Sequence, residues 1–150
     1  MPTLAANTTT TVIACMSYRN AAAAIDWLCN TFGFVKRASY VGPDGSIVHA
    51  ELTFGNGMIM TGTARQDSDY GKLMRQPDEV GGFSTQSVYV ITTDPDEMYR
   101  RAKAAGARIL MDIKDEDYGS RGFTCADPEG HLWTFGTYDP WKAAQSASGS

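Results

Sequence analysis

Histidine and cysteine are scarce in this chain, which has two of the first and three of the second in 150 residues and no Cys-x-x-Cys pair. The shortage of thiols excludes a disulfide-stapled scaffold. Cys15, Cys29 and Cys125 are odd in number, so at least one is unpaired in any scheme, and reduced, buried thiols are the expected state. Neither histidine lies in a nucleophile signature. No apolar run approaches the roughly 18 consecutive residues of a membrane span, so no membrane partner is expected. The first ten residues, Met-Pro-Thr-Leu-Ala-Ala-Asn-Thr-Thr-Thr, lack a basic start followed by an apolar stretch, which makes the cytoplasm the expected address. Basic residues are outnumbered, 13 against 17 acidic, for a formal net charge of −4 and a pI near 5.0, and they are scattered. Without a basic stripe to grip phosphates, no nucleic-acid partner is expected.

What is present is apolar mass: 43% hydrophobic and 11% aromatic residues with 20% charged, enough for a core in a chain of about one domain. Residues 1–9 and 139–150 read as tails. Thr11 to Ser17 reads as a buried strand. Asn20 offers an N-cap to a helix whose Ile25, Leu28, Cys29 and Phe32 recur at helical spacing, and Gly33 stops it. Val35 to Val41, Ile47 to Phe54 and Met58 to Thr61 read as strands, the first two joined by Gly-Pro-Asp-Gly and the last two by Gly-Asn-Gly. After a polar connector of about 63–84 the order recurs. A strand at Ser87 to Ile91 precedes Asp94-Pro95-Asp96-Glu97, which opens a helix with Met98, Ala102 and Ala105 on its apolar face, ended by Gly106. Strands follow at Ala107 to Ile113, Gly119 to Ala126 and Leu132 to Phe135.

Gly33 and Gly106 are 73 residues apart, and so are Gly57 and Gly130. Matching glycines at a helix stop and at a hairpin compare folding instructions, because both positions favour positive φ. The prediction is an α+β fold: two tandem β-α-β-β-β modules, about 10–62 and 85–138, in one domain over 10–138, with mixed sheets that are concave on the face away from their helices.

Three stretches carry a resemblance. Asn20-Ala-Ala-Ala-Ala-Ile-Asp-Trp-Leu precedes Phe32-Gly33-Phe34; His49-Ala-Glu-Leu-Thr-Phe-Gly-Asn-Gly-Met-Ile-Met follows; and Tyr118-Gly leads to Asp127-Pro128-Glu129-Gly130-His131-Leu132-Trp133. Over about residues 10–138 the chain resembles the vicinal oxygen chelate superfamily of glyoxalases, bleomycin-resistance proteins and extradiol dioxygenases. In its metal-using members four ligands, typically His, Glu, His and Glu, sit on the first and last strands of the two modules. The resemblance carries these onto Ile13, Thr61, Ser87 and Thr134, none of which supplies the imidazole, carboxylate or thiolate that a divalent ion requires. Neither a metal nor another cofactor is therefore expected. The resemblance also implies a homodimer.

His49, Glu51 and Thr53 alternate with Ala50, Leu52 and Phe54 and share one strand face. They are placed on the concave side with Thr61, Ser87, Tyr89, Thr124 and Thr134 as ligand-binding residues, and His49 and Glu51 are the catalytic candidates. The bland reading stays open beside this one: Glu51 pairs with an arginine, and His49 is a satisfied side chain. His131 reads as a hydrogen-bonder at its turn. Tyr18, Tyr89, Tyr118, Tyr138 and Trp141 suit a ligand rim, while Trp27, Phe32, Trp133, Phe135, Met58, Met60 and Met111 are assigned to the core. The acidic run Asp112 to Asp117 reads as a solvated loop that favours a cationic ligand if it rims the cavity.

Three functional readings follow. The first is a metal-free protein that binds or sequesters a small organic ligand, cationic or aromatic. The second is an enzyme, of lyase, isomerase or dioxygenase-like type, that uses Glu51 or His49 as a general base with Thr61, Ser87 or Thr134 stabilising an oxyanion. The third is a metal enzyme in which His49 and Glu51 join a carboxylate such as Asp112.

Overall fold

The computed structural model describes residues 4–142. The chain divides between Gly81 and Gly82 into two compact units. The first contains β1 (Ala14–Tyr18), α1 (Ala21–Phe32), β2 (Val35–Val41), β3 (Ile47–Phe54) and β4 (Gly57–Thr63). Its sheet runs β1-β4-β3-β2, with β1 parallel to β4 and the other pairs antiparallel. Asn20 Oδ1 accepts from the backbone N–H of Ala23 at 3.1 Å, satisfying one orphan donor of α1, and Gly33 ends the helix at φ 88°. The connector is not featureless. It holds two short 3-10 turns, Gly71–Leu73 and Pro77–Val80, and the second is tied back to the end of β1 by Arg19, whose two terminal nitrogens each sit 2.9 Å from an Asp78 oxygen.

The second unit contains β5 (Val88–Ile91), α2 (Pro95–Ala104), β6 (Arg108–Asp115), β7 (Arg121–Ala126) and β8 (Leu132–Gly136), with the corresponding sheet order β5-β8-β7-β6. Asp94 caps α2 by accepting from Glu97 N–H at 3.1 Å, and Gly106 follows the helix at φ 85°. Part of the acidic run is strand rather than loop, because β6 continues to Asp115 through two register shifts. Its Asp112 accepts from the Tyr99 hydroxyl of α2 and from its neighbour Ile113 N–H at 2.9 Å.

The tandem β-α-β-β-β order is observed, but one of its two glycine landmarks fails. Gly130 has φ 92°, whereas Gly57 lies outside the left-handed region and the positive φ falls on Gly55. The hairpins differ: β3 and β4 are joined by Gly55-Asn56, β7 and β8 by residues 127–131. The buried positions Ala50 and Leu52 correspond to Phe123 and Cys125, a shift of 73, but their partners across the hairpins, Thr61 and Ile59, correspond to Phe135 and Trp133, a shift of 74. A slip of one residue turns a side chain to the other face. Thr61 therefore lies under α1, buried with Ile59 and Ala50, while Thr134 lies on the opposite, open face of its sheet.

Several core and rim assignments change with the register. Met58 and Met60 pair with Thr53 and Glu51 and so sit on the open face, and Met111 is 53% exposed. Tyr18, expected at the rim, is 1% exposed in the core of unit one. Cys125 is buried and Cys29 half-buried, but Cys15 is exposed. Trp133 and Phe135 are fully buried as expected, with Phe123, Phe135 and Trp133 forming a stacked row at 5.5 and 6.5 Å.

Candidate functional site

In unit two the open face carries a cavity of about 230 Å³. Its floor comes from the ladder. Thr124 pairs with Thr134, Gly122 with Gly136, and Tyr89 with Thr134, so these residues share the face turned away from Phe123, Cys125 and Trp133. Backbone crowding demands glycine at position 122, and at 136 a larger residue would displace the Tyr89 side chain. A Cβ on Gly122 would stand 2.5 Å from the Phe135 carbonyl oxygen, and one on Gly136 would stand 2.9 Å from the Tyr89 hydroxyl. Met111, Lys114, Glu116, Tyr118 and Tyr138 complete the lining.

The polar groups of this cavity are mostly engaged with one another. The Thr124 and Thr134 hydroxyls are 2.7 Å apart, and since only one of the two protons lies between them, the other remains free to donate outward. Tyr89 donates its hydroxyl proton to the Tyr138 carbonyl at 2.7 Å; burial, followed by the neighbouring Tyr118, pushes the phenol's pKa above its ordinary value. Tyr118 packs edge-on to Tyr138 at 5.5 Å and is 67% exposed. Arg121 is held by Asp96 at 2.9 Å and Asp115 at 3.3 Å, and Lys114 lies 4.0 Å from Glu116. The result is a tyrosine-rimmed recess with hydroxyls at its floor and paired charges at its edge.

The open face of unit one carries His49, Glu51 and Thr53. His49 Nε2 is 3.0 Å from Glu51 Oε2, Arg37 Nε is 3.5 Å from Glu51 Oε1, and the Tyr40 ring stacks on His49 with centroids 6.0 Å apart. Arg37 and Tyr40 escaped the sequence reading. A count across the Gly42–Gly45 turn sets Tyr40 opposite Ile47, and the observed register, with its shift between Tyr40 and Val41, brings it opposite His49 instead. Thr53 donates to the Val35 carbonyl at 3.5 Å, a long contact.

Of the nine residues named from sequence, four, Tyr89, Tyr118, Thr124 and Thr134, line the unit-two cavity, and three, His49, Glu51 and Thr53, share the unit-one face. Thr61 belongs to neither, and Ser87 is exposed just before β5. Gly122 and Gly136 were missed because an isolated glycine reads as a turn. His131 binds through its backbone: its N–H donates to Asp127 Oδ1 at 3.1 Å, and its carbonyl accepts from Asp127 N–H at 2.9 Å. The buried Asp127 also accepts from Glu129 N–H and from Trp133 Nε1, both at 3.0 Å, and so ties the turn to the core.

A family model, the Glyoxalase/Bleomycin resistance protein/Dioxygenase superfamily, matches residues 11–135. The chain belongs to this superfamily. It is 32% identical over 136 residues to an uncharacterised protein of Mycobacterium bovis, covering 87% of this chain and 88% of that one, and equally identical to an uncharacterised protein of Mycobacterium tuberculosis, of which 79% is covered. Among solved structures it is similar to TioX from Micromonospora sp. ML1, at 32% identity and a TM-score of 0.67 over 85% of this chain and 97% of that one. The fosfomycin resistance protein FosX from Mesorhizobium loti shares the fold, with a TM-score of 0.59 at 10% identity, covering 90% and 97% of the two chains.

Superfamily members that use a metal hold it on the first and last strands of each module. With the observed register, those open-face positions carry Ile13 and Met60 in unit one and Ser87 and Thr134 in unit two. An aliphatic chain, a thioether and two hydroxyls do not fit a divalent ion, which needs charged or imidazole donors to offset its desolvation. Among the described residues no group of three or more His, Cys, Asp or Glu side chains is placed to hold one.

Proposed function

We propose that this superfamily member binds and sequesters a small organic ligand without a metal, and that the unit-two cavity is its site. The observation that carries this reading is the cavity itself, with three tyrosines above a floor of two glycines and a hydroxyl pair. Aromatic rings offer a broad apolar surface that stacks on a planar ligand at low entropic cost. The free proton of the threonine pair meets an acceptor on that ligand. With Arg121 and Lys114 already matched by carboxylates, the edge favours an aromatic ligand, neutral or weakly cationic, over an anion.

The reading includes a homodimer in the cytoplasm. No described helix is long and apolar enough to cross a membrane. Strand β2 is an edge of its sheet, and Val35 and Val41 at its two ends are 62% and 63% exposed, an edge that a second copy would cover.

The experiment is a thermal-shift screen of planar aromatic compounds, neutral and cationic, with and without a chelator. A ligand that binds only the native state raises the melting temperature with concentration. Sedimentation of the same samples reports the assembly. Tyr118→Ala removes an exposed ring and is expected to weaken a hit by about 0.5–1.5 kcal/mol without lowering the unliganded melting temperature. Binding that a chelator abolishes, or hits indifferent to Tyr118→Ala, would overturn the reading.

A further inference from the structure

The imidazole–carboxylate pair belongs to unit one, contributes no residue to the lining of the unit-two cavity and has its own chemistry. A carboxylate only accepts, so at 3.0 Å the proton between Glu51 Oε2 and His49 Nε2 belongs to the imidazole. Arg37 Nε stands 3.5 Å from the other carboxylate oxygen, so each oxygen of Glu51 has one neighbouring nitrogen. A neutral imidazole with its proton on Nε2 has a bare lone pair on Nδ1. No described residue occupies that nitrogen, and the side chain is 37% exposed. Tyr40 stacks on the ring at an interplanar angle of 26° and fixes its plane. Met60 and Met58, paired in register with Glu51 and Thr53, give the same face a soft apolar floor.

We propose that His49 Nδ1 is a proton-accepting site for a small carbon or oxygen acid, with Glu51 and Arg37 as positioning residues. The proton leaves the C–H or O–H of the bound acid for Nδ1 and the electron pair stays on that carbon or oxygen. The resulting imidazolium, protonated on both nitrogens, is stabilised by Glu51 across Nε2. Glu51, held from both sides, orients the base rather than acting as one. The inference stands on unit one alone and does not need the cavity reading to hold.

The probe is 5-nitrobenzisoxazole, from which a base removes the ring C–H while the N–O bond breaks to release a coloured phenolate. The full chain is expected to consume it at least about tenfold faster than His49→Gln, with Glu51→Gln falling between them. In parallel, long-range proton–nitrogen correlation spectra of histidine-labelled protein, with His131→Gln to separate the two residues, should show the Nε2–H form at His49. Glu51→Ala should convert that form to a mixture of tautomers. Equal rates for the chain and His49→Gln overturn the proposal. So does a rate lost in Glu51→Gln but kept in His49→Gln, which would make the carboxylate the base, and so does a proton found on Nδ1.

Discussion

The two units share a topology, yet they fill it in different ways. Under α1 the two central strands of unit one place small or medium residues, Ala50, Leu52, Ile59 and Thr61, and the bulk comes from Ile25, Leu28 and Phe32 of the helix and from Tyr18 of β1. Under α2 the sheet carries more of the bulk: the corresponding positions are Phe123, Cys125, Trp133 and Phe135, and the helix buries Pro95, Met98 and Ala102 and lays Tyr99 against Phe123, with centroids 5.2 Å apart. A core needs its summed volume conserved more than any one residue, so the repeat survives with almost no identity at equivalent positions. The open faces diverge further. Cys15, His49, Glu51 and Met60 stand where unit two has Tyr89, Gly122, Thr124 and Thr134. One scaffold thus presents an imidazole–carboxylate face in one unit and a tyrosine-rimmed recess in the other.

The largest expected effect tests which element supplies the bulk. Trp133 is fully buried, stacks with Phe135 and donates its indole N–H to the buried Asp127. Trp133→Ala should cost about 3–5 kcal/mol of unfolding free energy. The equivalent position in unit one is Ile59, where Ile59→Val removes one methylene and should cost about 0.5–1.5 kcal/mol. Urea titrations followed by near-ultraviolet and far-ultraviolet dichroism measure both. Equal costs for the two substitutions would break the contrast between the two cores.

A second test uses the one titratable side chain among those equivalent core positions. Burial pushes the Cys125 thiol up to about 12, with the nearby Asp127 charge adding to it, while Leu52 opposite it in the comparison cannot titrate. A thiol raised in the fold keeps its proton there after the unfolded chain has lost its own. Its contribution is fully present below the ordinary thiol value near 9 and is lost as pH rises from there toward 12. Over that window stability should fall by up to about 1.4 kcal/mol per pH unit from this group. Tyr89 and Tyr99 are raised too and act in the same direction. The measurement is therefore the difference in alkaline slope between the chain and Cys125→Ala, the variant being flatter although less stable at neutral pH. Parallel slopes would show that the thiol does not titrate inside the fold.

How much of this was legible in the sequence follows from how local each signal is. The caps Asn20 and Asp94, the stops Gly33 and Gly106, and the bounds of β2 and β3 depend on neighbours a few residues away, and all appear where the sequence placed them. Face assignments depend on register across a hairpin, and there an extra residue in the β7–β8 connection was enough to misplace Thr61 and two methionines. The tyrosine rim of unit two was legible because Tyr89, Thr124 and Thr134 follow strand alternation within one module. The partners of Glu51 were not, since Arg37 lies across a pairing with a register shift between Lys36 and Ala38. The floor glycines were invisible for a different reason: what they do is leave space, and a sequence pattern does not record a clash that would occur only if a Cβ were present.

The smallest expected effect has the opposite sign and bears on the same comparison. Thr61 occupies in unit one the place that Phe135 fills in unit two, and its Oγ1 is buried without a hydrogen-bond partner. Burying a hydroxyl unpaired costs about 1–3 kcal/mol on mutational scales, part of which local relaxation recovers. Thr61→Val keeps the β-branched shape favoured in a central strand and replaces the hydroxyl by a methyl group of similar size. It should therefore raise stability, by about 1 kcal/mol. A helix-face position tolerates this change because its neighbours, Ala50 and Met16 in register, make no polar demand on it. Were Thr61 instead part of a binding surface, as the family resemblance implied, Thr61→Val would leave the melting temperature unchanged or lower it and would weaken whatever ligand the screen identifies. A higher melting temperature with undiminished ligand affinity is the outcome that the observed register requires, and it can be read from the same titrations used for Trp133→Ala.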